Sequence, residues 1–207
     1  AETADRLAAQ AFAGITIPNF SYFSDAPKFH HSYNRGRLEG SLRELAAAGV
    51  PVVSHLHALT TGDLVYCRDW LREHIEVSHI CREFQTGNGD EAIDEIAHLH
   101  EEIRRPLHPL IVGGGRFATK LRERFAHFTI VDSTPFMKAV MRQRALVVNG
   151  EVEWHAHLTD TPHEVGMLVK HNIDEYSQVV EGRASNQTSM LSVFEDAILA
   201  REAARKD

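Results

Sequence analysis

The sequence predicts an α/β fold: a parallel, barrel-like sheet with a late β-hairpin and two C-terminal helices, all in one domain of 207 residues. Three observations predict it. From about residue 14 to 143, short apolar runs alternate with amphipathic stretches, the pattern of strands joined by crossover helices. Asn149-Gly150 then sits between two apolar runs, the strongest short hairpin signal. Beyond it, 163–181 and 188–205 have helical periodicity.

Each element has its own reason. GITIPNF (14–20) is an apolar run that reads as the first strand. In 37–49 Leu38, Leu42 and Leu45 share one helical face and Gly49 stops the helix. VPVVSHLH (50–57) gives a second strand, and Thr61 is placed as the N-cap of a helix reaching Arg72. IEVSHICREF (75–84) is the third strand. Asp90 opens a helix to about Arg104, with Ile93, Ile96 and Ile103 turned inward. PLHPLIVGG (106–114), a helix over 116–125 and FTIVD (128–132) supply the fourth and fifth strands. RALVVNGEVEWHA (144–156) is the hairpin. Five strands separated by helices imply right-handed βαβ crossovers, and hence an open sheet or an incomplete TIM barrel.

With 43% hydrophobic and 25% charged residues the chain can bury a real core. No apolar run approaches the roughly 20 residues that span a bilayer, and no charged-then-apolar leader opens the sequence. The expectation is a soluble, cytoplasmic protein with no membrane partner. The sequence starts at Ala1 with a helix-like segment, so a larger chain or complex is also expected. Cys67 and Cys81 form no paired motif and read as buried thiols. The net charge of −7 is uneven. Between Arg116 and Arg144 seven lysines and arginines face only Glu123 and Asp132, a local +5. This basic segment, 116–144, is either a nucleic-acid contact or a set of solvated helix faces.

The stretch VGGGRFATKLRERFAHFTIVD (112–132) has the spacing of a dinucleotide fingerprint: Gly113, Gly115 and Ala118 fit G-x-G-x-x-G/A, and Asp132 stands where a ribose-binding acid would. NAD or flavin is therefore one cofactor alternative. Pro109 in the preceding strand and the hairpin after Asp132 do not suit that fold. A purely structural glycine turn is the other reading.

The C-terminal ends of parallel strands converge on ligands in open and closed sheets alike. Here they carry Asn19 and Ser21, His55 and His57, Glu83 and Gln85, Gly113 to Gly115, and Asp132 with Ser133. Two of the five ends thus offer a carboxylate. An aspartate can form a covalent glycosyl intermediate while a second acid moves protons. Solvated strand ends and helix caps are the bland alternative.

EFQTG (83–87), LIVGGG (110–115) and IVDSTP (130–135) together resemble the tRNA-guanine transglycosylase type of TIM barrel over about 50 residues. The resemblance implies that Gln85 reads a base, that Gly113 and Gly114 offer it backbone groups, and that Asp132 is the nucleophile at the sugar. Glu83 would be the acid, with Gly115, Asn19 and His55 beside the substrate. The family's cysteine and histidine zinc site has no counterpart, and in place of its first aspartate turn stands PNFSYFSD. PNFSYFSDAPKFHHSYNRGR (18–37) is similar to bacterial proteins with a P-[DN]-F-S-x-[YF]-x-D-x-P signature, a likeness that implies no activity. The leading expectation is base exchange or N-glycosidic chemistry on a nucleoside or nucleic-acid base, by a glycosyl transferase that needs no cofactor.

Fourteen histidines include HLH at 55–57 and 98–100 and HAH at 155–157. On a strand, residues two apart share a face, so His55 and His57 could hold zinc or iron with Glu83, Asp132 or His155. A metal-dependent hydrolase is thus the second alternative. His98 and His100 fall on a helix and point apart, and lone His108 and His127 read as structural or surface residues. The third alternative is a non-catalytic nucleic-acid or protein-binding module.

Overall fold

The structure is a computed structural model that describes residues 2–20, 25–56, 58, 60–84, 89–159 and 161–184. The elements are α1 (Glu2–Ala8), β1 (Ile15–Thr16), α2 (Lys28–Ala47), β2 (Val52–His55), α3 (Thr61–Glu73), β3 (His79–Glu83), α4 (Gly89–Ile103) and β4 (His108–Val112). A 3-10 turn, Gly115–Phe117, leads into α5 (Ala118–Arg124), followed by β5 (Thr129–Val131), α6 (Thr134–Val140), β6 (Gln143–Val148), β7 (Glu151–Ala156) and α7 (Pro162–Arg183). The class is α/β as predicted, with a five-stranded parallel sheet and a separate antiparallel hairpin. The sheet order is β1-β2-β3-β4-β5. Each strand lies beside its sequence neighbour, which is barrel-type winding. The reversal of order that opens a dinucleotide crevice in doubly wound sheets is absent from these five strands. No described helix is long and apolar enough to cross a membrane.

The described residues fall into two compact units, 2–82 with 94–110, and 83–93 with 111–184. In the first, Ala4, Ile17, Leu38, Leu45 and Val50 form a buried cluster. Its helix α2 ends on Gly49 (φ +76°), as expected. The Gly49 amide bonds to the Ala46 carbonyl and the Val50 amide to the Leu45 carbonyl, a Schellman closure that brings Val50 onto Leu45. β1 runs beside β2 with Ile15 opposite Val52, and β2 beside β3 with His55 opposite Cys81. α3 is capped by Thr60, one residue before the expected Thr61. The Thr60 hydroxyl accepts from the Asp63 amide while the Asp63 carboxylate accepts from the Thr60 amide. Arg105 then closes the far end of α3 with hydrogen bonds to the carbonyls of Leu71, His74 and Val77.

Two elements depart from the sequence reading. α2 begins at Lys28, nine residues earlier than the apolar pattern shows, because its first turns bury little: Phe29 is 75% and Tyr33 65% exposed. Helix α6 was not expected. Its seven residues expose Phe136, Met137 and Val140, so no periodic stripe marks it, although Pro135 at its start is a helix-opening signal.

The second unit is organised around Asn172 of α7, which is fully buried. Its side-chain oxygen accepts from the Ala145 amide, and its amide donates to the carbonyls of Pro135 and Gln143. One side chain thus ties α7 to α6 and β6. β6 pairs with β7 from Gln143 opposite Ala156 to Val148 opposite Glu151. Asn149 and Gly150 both have positive φ (53° and 78°), the type I′ geometry that Asn-Gly predicts. The proposed second C-terminal helix, 188–205, lies outside the described residues.

Candidate functional site

Three strand ends of the second unit lie side by side. The Phe84 amide, just after Glu83, bonds to the Val112 carbonyl at 2.9 Å, and the Gly113 amide bonds to the Val131 carbonyl at 2.7 Å. This register sets Glu83, Gly113 and Asp132 in a row along one sheet edge. Two strand spacings, roughly 10 Å, separate the backbones that carry the two carboxylates.

Asp132 is half-buried where β5 gives way to α6. Its Oδ1 accepts from the Thr134 amide at 2.9 Å. Its Oδ2 accepts from the Tyr176 hydroxyl at 2.6 Å and from the Gly115 amide at 3.3 Å. Burial alone would raise the pKa of this carboxyl, but the bonds from Thr134, Tyr176 and Gly115 outweigh it and hold the group below its ordinary value. Asp132 is therefore ionised at neutral pH. Tyr176 shifts the other way: burial, then its bond to the carboxylate, push the phenol well above its usual range.

The glycines beside Asp132 answer to packing. Gly113 and Gly114 have φ of +78° and +83°. A Cβ on Gly114 would also meet the Phe84 ring and Cβ at 3.0 Å. Phe84 in turn packs edge-on against Phe117, with centroids 5.6 Å apart. A Cβ on Gly115 would overlap the Tyr176 hydroxyl. Ala118, the last residue of the expected fingerprint, is completely buried. Close approach of Phe84 and Tyr176 thus accounts for Gly114 and Gly115, and the Gly115 amide is directed at Asp132.

The remaining expected site residues are placed unevenly. Glu83 is half-buried at the end of β3. Gln85 and His57 lie outside the described residues. Asn19 and His55 belong to the first unit; Asn19 is half-buried after β1, and His55 is buried at the end of β2. Among the described residues no three histidine, cysteine or acidic side chains converge as a metal site. His98 is exposed on α4 near Glu102, and His155 lies 3.2 Å from Glu153. Cys67 and Cys81 are buried and unbridged, as expected. Within the basic segment 116–144, Lys120 is paired with Asp90 at 3.0 Å, Arg142 donates to Thr159, and Arg144 donates to His171.

Tyr176 and Thr134 were missed by the sequence reading. Thr134 follows Asp132 by two residues, an Asx-type spacing that was legible. Tyr176 is 44 residues away on α7 and had no local signal. No protein-family model, curated protein or solved structure matches the chain.

Proposed function

We propose that the chain carries out base exchange or N-glycosidic cleavage on a nucleoside or nucleic-acid base, with Asp132 as nucleophile and Glu83 as acid. One observation carries the reading: a strand-end carboxylate, ionised and fixed by donors from three separate segments, sits in a row with a second acid across the glycine turn. An Asp132 oxygen attacks the anomeric carbon as the bond to the base breaks, and the base leaves with the electron pair and a proton from Glu83. The incoming base, or water, then attacks the same carbon, returns a proton to Glu83 and frees the carboxylate. Two inversions retain the configuration. The basic segment 116–144 would bind phosphates if the substrate is a nucleic acid.

A second reading is favoured by Gly114 and Gly115, whose packing against Phe84 and Tyr176 needs no ligand. In it Asp132 is a structural acceptor that joins β5, the glycine turn and α7. Denaturing intact-mass measurement after incubation with the four ribonucleosides and with bulk tRNA separates the two. The nucleophile reading expects a glycosyl adduct in the wild-type chain that Asp132→Asn lacks. Absence of any adduct or released base from the wild type supports the structural reading.

A further inference from the structure

A cleft of about 320 Å³ lies in the first unit, bounded by α2 and α3 and floored by the end of β2. It shares no residue with the Asp132 row. Its volume falls at the small end of the range for small-molecule sites, which typically begins near 300 Å³. We propose that this cleft is a binding site for a neutral, planar heteroaromatic molecule, an assignment independent of the glycosidic reading.

The walls are preassembled for ring stacking. The Arg35 guanidinium lies over the Tyr66 ring, 4.1 Å from its centroid, and is held there by Asp63. Tyr66 donates its hydroxyl to Glu39, and burial followed by that bond pushes the phenol up to about 12. Trp70 is stacked on His74 with centroids 4.4 Å apart. The His74 Nδ1 donates to the Trp70 carbonyl at 2.8 Å. Tyr66 held by its hydroxyl bond and Trp70 stacked on His74 are already ordered, so they lose little entropy when a flat ligand arrives.

The floor and the charge balance narrow the ligand class. Leu38, Leu42 and Leu56 line the apolar side, and Ser54 and His55 are buried polar groups at its base. The charged lining consists of Arg35 and Arg43 against Glu39 and Glu73, a formal sum of zero. Arg35 is committed to Asp63, and Tyr66 to Glu39. An anion entering such a site would lose hydration without gaining net positive charge. A neutral ring with donors and acceptors on its edge gains apolar burial and stacking and leaves no charge unpaired.

The test uses the full chain and 2-aminopurine as probe, excited beyond tryptophan absorption so that its own quenching reports stacking. The expected result is saturable, single-site quenching that Trp70→Leu and Tyr66→Leu, at a partly exposed position, each weaken at least fivefold. Benzamide should displace the probe at least tenfold better than benzoate, its anionic isostere. Melting curves show whether each variant is folded, and Tyr66→Leu keeps the test decisive if Trp70→Leu is not. Absence of saturable quenching overturns the proposal, as does quenching indifferent to Tyr66→Leu in the folded variant. Equal displacement by benzoate overturns the assignment to neutral ligands.

Discussion

Asn172 shows what a single polar side chain does in this molecule. Fully buried, it bonds one amide and two carbonyls where α6, β6 and α7 meet. Asn172→Leu removes all three bonds, so it should cost about 2–4 kcal/mol in a urea titration. The Asp132 and Tyr176 pair predicts the pH profile. A carboxyl whose folded pKa is depressed contributes stability that is present above its unfolded value near 4 and lost as pH falls through the folded pKa. A phenol whose folded pKa is raised contributes stability that is present below about pH 10 and lost as pH rises beyond it. Melting temperature should therefore drop at both extremes. Tyr176→Phe should lower the plateau and soften both flanks, which a series of melts from pH 3 to 11 would show. The strand-end position of Asp132 was legible in the sequence because it closes an apolar run. Its partner Tyr176 was not, because only tertiary folding brings α7 to it.

At the scale of elements, the glycine turn is the most exacting. Gly114 combines a φ of +83° with a Phe84 contact that a Cβ would crowd. Gly114→Val should destabilise the chain by at least about 2 kcal/mol, through left-handed strain and displacement of Phe84. A variant that melts like the wild type would contradict this. The hairpin is a cleaner case of local legibility. Asn149 and Gly150 adopt the positive φ values that their dipeptide signals, since they are the residues that tolerate them. The first turns of α2 and the whole of α6 were hidden for the opposite reason. Their apolar residues face outward, so the periodicity that marks a buried helix face does not form. The 3-10 turn and seven-residue α5 after the glycines likewise differ from the single helix over 116–125 that the pattern suggested.

For the whole molecule, alternating patterns were enough to read the parallel sheet, because strands joined by crossover helices run parallel. The strand order β1 to β5 follows the chain without reversal. Division into two compact units was not legible, since the break falls inside β3, α4 and β4 and has no linker to mark it. The proposed chemistry turns on Asp132. It is tested most directly by measuring free base release from the four ribonucleosides and labelled-base incorporation into bulk tRNA, for the wild-type chain, Asp132→Asn and Tyr176→Phe, beside binding of the same substrates. Asp132→Asn should bind substrate within about threefold of wild type and lose turnover by at least about a thousandfold, since an amide cannot form the covalent adduct. Tyr176→Phe should retain measurable turnover. A wild-type chain that turns over none of these substrates, or an Asp132→Asn variant as active as the wild type, would contradict it.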